Sequence, residues 1–388
     1  MDDFSTRIVR VGELPDFIAE YLAGAPPNAI LPITPQRAKA QAHNPAASAD
    51  DPALLLALSS GEVVGYLGLL PVFLRDGGRV SKVFWFSTWL AAPQVRGRGV
   101  GRMLKQKALS LGIDAVSTGN IHTRQANRKL GCTEREPFVF YSLDLTGVTL
   151  FNPLRLGRRA LRKALHALGR DFAVETASVR AADRFLATPL HKTIAARLRA
   201  YADSWLKGLK IAETPRIPEI PPQEPRPLPV ASFHRPPVVV NWMLEYPWVL
   251  PRAGAPHFNY HFTHARDEFR FQAFTLHDGK RYVGFAVFSL SADGGKRWVK
   301  ALDYRLSRRL LPKAVLALAL KVAIAWRAHR LELPPELAEP LKAHPLTRPL
   351  LSEHKRLYQA WFAAPNSPLA QAWERLTFGF CDGDTAFT

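Results

Sequence analysis

Apolar and polar positions along the first 145 residues change period several times. Thr6–Val11 suits a short strand, and Leu14–Leu22 and Pro35–His43 suit helices. Ala53–Leu58 and Val63–Phe73 are apolar, β-rich runs around the turn SSGE, and Lys82–Leu90 is a further strand. Next, RMLKQKALSLG sets Met103, Leu104 and Ala108 at helical spacing and stops near Gly112. Asp114–Ser117 reads as strand, His122–Leu130 as a short helix ended by Gly131, and Phe138–Leu145 as strand. Antiparallel strands followed by β-loop-α-β-α-β predict a mixed α/β fold with one parallel crossover.

The middle of the chain differs. Leu154, Leu161, Leu165 and Leu168 share one helical face in 154–170, while Arg155, Arg158, Arg159, Arg162 and Lys163 cover the rest. Two readings stand for this helix: a contact with an anionic membrane surface, or a helix packed on the body with a solvated basic face. HKTIAARLRAYADSWLKGLK, from His191, is a second basic amphipathic helix. Pro215–Pro237 holds nine prolines, which excludes helix and central strand and predicts an extended surface connector.

The last part repeats the first in outline. Phe269–Leu276 and Tyr282–Leu290 are strands joined by HDGK, and Trp298–Tyr304 is a third. Pro312–His329 is a long helix with Pro at its start. Leu331–Leu333, the segment after Pro335 and Leu357–Ala363 suit strand, helix and strand.

A length of 388 residues suits two domains with a spacer, and 47% apolar residues can bury a sizeable core. The formal net charge of +19 favours an anionic partner, or reflects only a basic surface. Cys132 and Cys381 lie far apart and outside any CxxC, so neither a disulfide framework nor a zinc site follows. The acidic start lacks an apolar signal core, and LLPKAVLALALKVAIAW carries lysines, which reads as a buried helix in a cytoplasmic protein. A peripheral position at the inner membrane face depends on 154–170.

Between the strand VFWFSTWL and the helix at Arg102 lies QVRGRGVGRML, with three glycines, three arginines and no acid. Successive backbone N–H groups can converge on one phosphate only where the chain curls tightly and side chains do not block approach. Gly97, Gly99 and Gly101 allow both, the helix adds its positive end, and Arg96, Arg98 and Arg102 add charge. The GK[ST] of a Walker loop is missing, and the spacing fails GxGxxG. What fits is Arg96-x-x-Gly99-x-Gly101 after a strand and before a helix, which resembles the acetyl-CoA loop of the GNAT N-acetyltransferase superfamily. The resemblance covers roughly residues 5–146.

The resemblance implies that Arg96, Gly97, Arg98, Gly99, Val100, Gly101 and Arg102 hold the CoA pyrophosphate. It implies that the backbone of Leu90 and Ala92, at the splayed end of the fourth strand, pairs with pantetheine. It places Asn120 at the family's CoA-contacting Asn. Leu130-Gly131-Cys132 stands where the family often has Leu-Gly-Phe. Four residues before that glycine the family commonly has the Tyr that protonates departing CoA thiolate, and this chain has Asn127. An amide can hydrogen-bond the sulfur but supplies no proton at useful pH.

Direct transfer to an amine needs positioning and proton removal. His122, just after the strand flanking the thioester, suits a general base, against a surface histidine at a helix start. Tyr141 suits a proton donor, against core packing. Ser87 and Thr88 are placed to bind acceptor, and Trp85 and Trp89 to stack on a sugar or base, against packing on a buried strand. In HFNYHFTH, His257, His261 and His264 would share a helical face. The alternating aromatics favour an extended, substrate-lining loop, with His261 and His264 as acceptor contacts and no metal.

The second half has RLSRRLLPKA where the first has its glycine loop, so it reads as a degenerate GNAT-like copy. The expected architecture is two GNAT-like domains, each a mostly antiparallel sheet flanked by helices. A catalytic domain spans 1–148, a basic helical segment 149–211, a Pro-rich linker 212–237 and an acceptor-shaping domain 238–388. The plan is similar to Fem-type transferases and mycothiol synthase. The C-terminal CDGDTAF is similar to large bacterial GNAT proteins of surface-polysaccharide systems. The implied function is acetyl-CoA-dependent N-acetylation of a small-molecule or glycan amine, in particular an amino sugar linked to nucleotide or lipid. The alternatives are a peptide or protein acetyltransferase, a Fem-like aminoacyl transferase, or a CoA-sensing membrane-associated protein. No nucleic-acid-binding motif is present.

Overall fold

A computed structural model describes residues 4–26, 28–119, 121–145, 195–219, 230–256, 258–307, 310, 312–345 and 347–387. The helix expected at 154–170, Asn120 and His257 lie outside the described residues.

Two sheets share one strand plan. The first contains β1 (Phe4–Arg10), β2 (Pro52–Ser59), β3 (Glu62–Asp76), β4 (Arg79–Ala91), β5 (Ala115–Thr118), β6 (Thr133–Glu134), β9 (Ala231–His234), β17 (Tyr358–Trp361) and β18 (Leu376–Thr377). Its main path runs β1-β2-β3-β4-β5-β17-β6. The second contains β7 (Phe138–Asp144), β8 (Leu209–Thr214), β12 (Glu268–Asp278), β13 (Arg281–Asp293), β14 (Lys296–Leu306), β15 (Arg330–Leu333) and β16 (Leu351–Arg356). Read from β8, its order is β8-β12-β13-β14-β15-β7-β16. A separate two-residue pairing joins β10 (Leu250–Pro251) to β11 (Ala265–Arg266).

In both sheets the fourth and fifth strands are parallel and joined by a helix: α3 (Val100–Leu109) in the first, α7 (Lys313–Ala325) in the second. The other helices of the first half are α1 (Leu14–Gly24), α2 (Pro35–Ala42) and α4 (Ile121–Arg128). Elsewhere lie α5 (195–206), α6 (Pro237–Glu245), α8 (Pro335–Ala343) and α9 (Pro368–Ala372). α7 is buried on nearly all sides, as its apolar run demands, and no described helix is long and apolar enough to cross a membrane.

The copies are not closed units, and here the sequence reading is corrected. Phe138–Leu145 was expected to complete the first sheet, yet β7 pairs with β15 and β16 of the second. Leu357–Ala363 was expected in the second, yet β17 inserts between β5 and β6. Each half donates a late strand to the other. A shared core follows: Leu70, Val83, Trp85 and Val116 pack with Phe285, Val287, Leu302 and Trp373. The described ends of the proline-rich connector are also more embedded than expected. β8 ends just before Pro215, β9 joins β3, and the buried Asn241 amide bonds Ile217 N–H (2.6 Å) and C=O (2.9 Å). α5 turns Leu198, Ala202 and Leu206 into the second core, the packed arrangement for that basic helix.

Candidate active site

β4 carries the aromatic run and breaks its own ladder. Leu67 pairs with Trp89 and Leu69 with Phe86, so Ser87 and Thr88 together oppose Gly68: a β-bulge. Gly68 is required there, because a Cβ would lie 2.5 Å from Thr88 Oγ1 and 2.8 Å from Ser87 Oγ. The parallel ladder with β5 ends at Phe86–Ser117, while β4 continues to Ala91. Beyond the bulge, therefore, the β5-facing edge of β4 has no strand partner among the described residues. Leu90 and Ala92 do not face that edge. Ala92 N–H donates to Val64 O (2.8 Å), and Leu90 O lies against Gly65. By strand alternation, Trp89 and Ala91 present the open backbone groups.

After a 3-10 turn at Pro93–Val95, the chain enters the glycine loop. Gly97 (φ 81°) and Gly99 (φ 86°) are left-handed, and a Cβ on either would meet nothing within 4 Å. Backbone geometry, not crowding, calls for glycine there. The N–H groups of Arg96 and Arg98 are spent on Pro93 O and Val95 O. Those of Gly97, Gly99, Val100, Gly101 and Arg102 have no backbone partner among the described residues, the last three because they open α3. Gly101 serves packing: a Cβ there would sit 2.7 Å from the Trp89 ring. Arg96, Arg98 and Arg102 are exposed.

One turn into α3, Lys105 is 1% exposed. Its Nζ lies over the rings of Trp89 (4.2 Å), Trp361 (5.2 Å) and Phe86 (5.5 Å) and donates to Asn127 Oδ1. Burial pulls its pKa down to about 7, opposed by Cys132. Asn127, 0% exposed, donates through Nδ2 to Gln359 Oε1 (2.6 Å), and Gln359 Nε2 donates to Glu134. Asn127 is thus a link in a buried chain between the halves. With both amide atoms engaged and no exposed surface, it is not the open thiolate-side group expected.

His122 is exposed at the first turn of α4, directly after β5. Tyr141 is displaced from the site: it stands on β7 in the second sheet, donating to Glu353 Oε2 (3.2 Å) beneath Lys342. Trp85 is core, packed on Phe233, Tyr358 and Gly383, and is not available to stack on a ligand. Thr88 is buried at the bulge, and Ser87 Oγ accepts from Arg37 Nη2 (2.6 Å). The 258–264 loop is extended and lies on the first half: Leu31 N–H donates to Asn259 O (3.0 Å), and Phe258, Tyr260 and Phe262 join the α1–α2 core. His261 is exposed, and His264 stands edge-on to Tyr260. No metal-ligating cluster occurs among the described residues.

Sequence reasoning passed over Lys105 and Arg37. Lys105 falls on the apolar face of a helix otherwise buried through Val100, Leu104 and Ala108, and that breach of periodicity was its signal. Asp384 sits on the 3-10 turn Gly383–Phe387, which packs on β3 and β4. Burial raises its carboxyl pKa, against the lowering effect of Arg37.

The site is thus a bulged strand with an open edge, followed by a glycine loop at a helix N-terminus, in an α/β domain. Residues 18–130 match the model of the Acetyltransferase (GNAT) family. That segment is a GNAT acetyltransferase domain, and acetyl-CoA is the acyl donor of its family. No curated protein sequence matches the chain. Among solved structures it is similar to a GCN5-related N-acetyltransferase from Kribbella flavida (15% identity, TM-score 0.42, covering 92% of this chain and 71% of that one). It is also similar to one from Anabaena variabilis (10%, 0.44, 93% and 73%) and to a tandem GNAT protein from the clavulanic acid biosynthesis pathway (16%, 0.43, 94% and 100%).

Proposed function

We propose that the protein transfers the acetyl group of acetyl-CoA directly to the amine of a small anionic acceptor, in particular an amino sugar linked to nucleotide or lipid. The observation that carries this reading is the row of unpartnered N–H groups at Gly97, Gly99, Val100, Gly101 and Arg102, beside the open edge of β4. These groups suit the CoA pyrophosphate, with the exposed arginines adding charge. The free backbone of Trp89 and Ala91 suits pantetheine amides as an added strand. The thioester supplies an activated acetyl group. The chain's own work is to hold it beside the acceptor amine and to receive the proton. We assign proton removal to His122. The net charge of +19 favours approach of an anionic acceptor.

Titration calorimetry of acetyl-CoA, with desulfo-CoA and ATP as comparisons, tests the cradle. Gly99→Asn keeps a residue that tolerates left-handed backbone but fills the loop, and it should weaken acetyl-CoA by about tenfold or more. Equal affinity in that variant overturns the assignment. CoA release with a panel of amino sugars then tests the acceptor class.

A further inference from the structure

The buried face of α2 has the wrong chemistry for packing. Thr34, Arg37 and Gln41 recur at i, i+3 and i+7 where an amphipathic helix puts apolar residues, and all three are buried. Arg37 is 5% exposed, and no carboxylate lies within ion-pair distance of it among the described residues. Its guanidinium carbon lies 4.0 Å from the centre of a Trp248 ring, and the group donates to Ser87 Oγ (2.6 Å) and Tyr260 Oη (3.1 Å). Beside it, Thr34 Oγ1, both amide atoms of Gln41 and the Tyr66 hydroxyl are buried with no partner among the described residues. Burial, then Tyr260, raises the Tyr66 pKa, and Arg37 opposes them. A buried cation whose hydrogen-bond partners are all neutral, with the buried Asp384 carboxylate facing it from beyond ion-pair distance and orphaned donors and acceptors around it, is a costly arrangement for a core. It is a suitable one for an anion-binding subsite.

Its place matters as much as its chemistry. Ser87 belongs to the β4 bulge, at the start of the open edge assigned to the thioester. Tyr260 and Trp248 come from the second half. Resting on the acetyltransferase reading above, we infer that Arg37 anchors an anionic oxygen group, carboxylate or phosphate, carried by the acceptor itself, with Ser87 and Tyr260 holding the guanidinium in place. The amine then lies at the bulge, and selectivity is for amines bearing such a group over neutral ones.

The experiment measures kcat/KM for matched acceptor pairs with acetyl-CoA: glucosamine 1-phosphate against glucosamine, and β-alanine against its amide. In at least one pair the anionic member should lead by about 10- to 100-fold, the range of a charged hydrogen-bonding partner, and the pair that shows it identifies the anion. Arg37→Gln should bring that ratio close to one. A purely structural Arg37 would instead lower both members together and leave the ratio unchanged. Inorganic phosphate or acetate competing with acceptor, and not with acetyl-CoA, gives the same answer in the wild-type protein if the variant fails to fold. Acetylation of neutral and anionic amines with equal efficiency overturns the inference and leaves the transferase reading standing. No acetylation of any amine sinks that reading, and the subsite with it.

Discussion

Replacing Lys105 by Met should make the stability of the protein less dependent on alkaline pH. The ammonium is enclosed by three aromatic rings and an amide oxygen, with no carboxylate paired to it among the described residues. Its folded pKa of about 7 lies below the ordinary lysine value. Between the two values the unfolded chain binds the proton and the folded chain does not, so stability rises with pH by up to about 1.4 kcal/mol per unit. Below the folded value both states are protonated, and the cost of burying the charge is carried in full. Met keeps the length and apolar stem but cannot titrate. The wild-type minus Lys105→Met difference in unfolding free energy should therefore shift by about 2 kcal/mol in favour of wild type from pH 7 to pH 9. Urea unfolding of both proteins at pH 6, 7, 8 and 9 measures it, and titrations common to both cancel. A difference constant within about 0.5 kcal/mol would refute the reasoning. It would mean that the rings hold a permanent ammonium through cation–π attraction.

Gly99→Asn should weaken acetyl-CoA in calorimetry at a stability cost of no more than about 1–2 kcal/mol, since its Cβ enters open space. Arg37→Gln should erase the preference for anionic acceptors in matched-pair kinetics. His122→Ala should lower kcat by about 10²-fold or more with little change in the KM for acetyl-CoA; wild-type turnover would move the role to Asp384. Gln359→Leu strands the buried Asn127 amide and should cost about 1–3 kcal/mol in denaturant unfolding, with no change there if the chain from Lys105 to Glu134 is incidental.

What was legible in the sequence was local. The strands and helices of the first half follow from period and turn residues, and the glycine loop from spacing alone. The repeated order in the second half was visible because each element of one copy has a counterpart in the other. The strand exchange was not visible. β7 and β17 have the same half-apolar character whichever sheet receives them, and periodicity carries no partner information. For the same reason Tyr141 looked local to the site. Arg37 and Asn127 were hidden differently. Each is polar in a position that reads as a solvated helix face, and only the opposing half, through Trp248, Tyr260 and Gln359, shows that it is buried.

That opposing half completes the first. Cut at residue 148, the first sheet would lose β17, opening the edge of β5 and unpairing the Asn127 amide. The buried Asp114 carboxylate would lose two of its partners, the N–H groups of Ala363 (2.8 Å) and Leu369 (2.9 Å). β7 would lose both its neighbours. Each loss strands a polar group that the fold has already desolvated. The same elements from the second half supply Tyr260 and Trp248 to Arg37 and bring Asp384 onto β4. Structural completion and the proposed acceptor recognition therefore both draw on the second half.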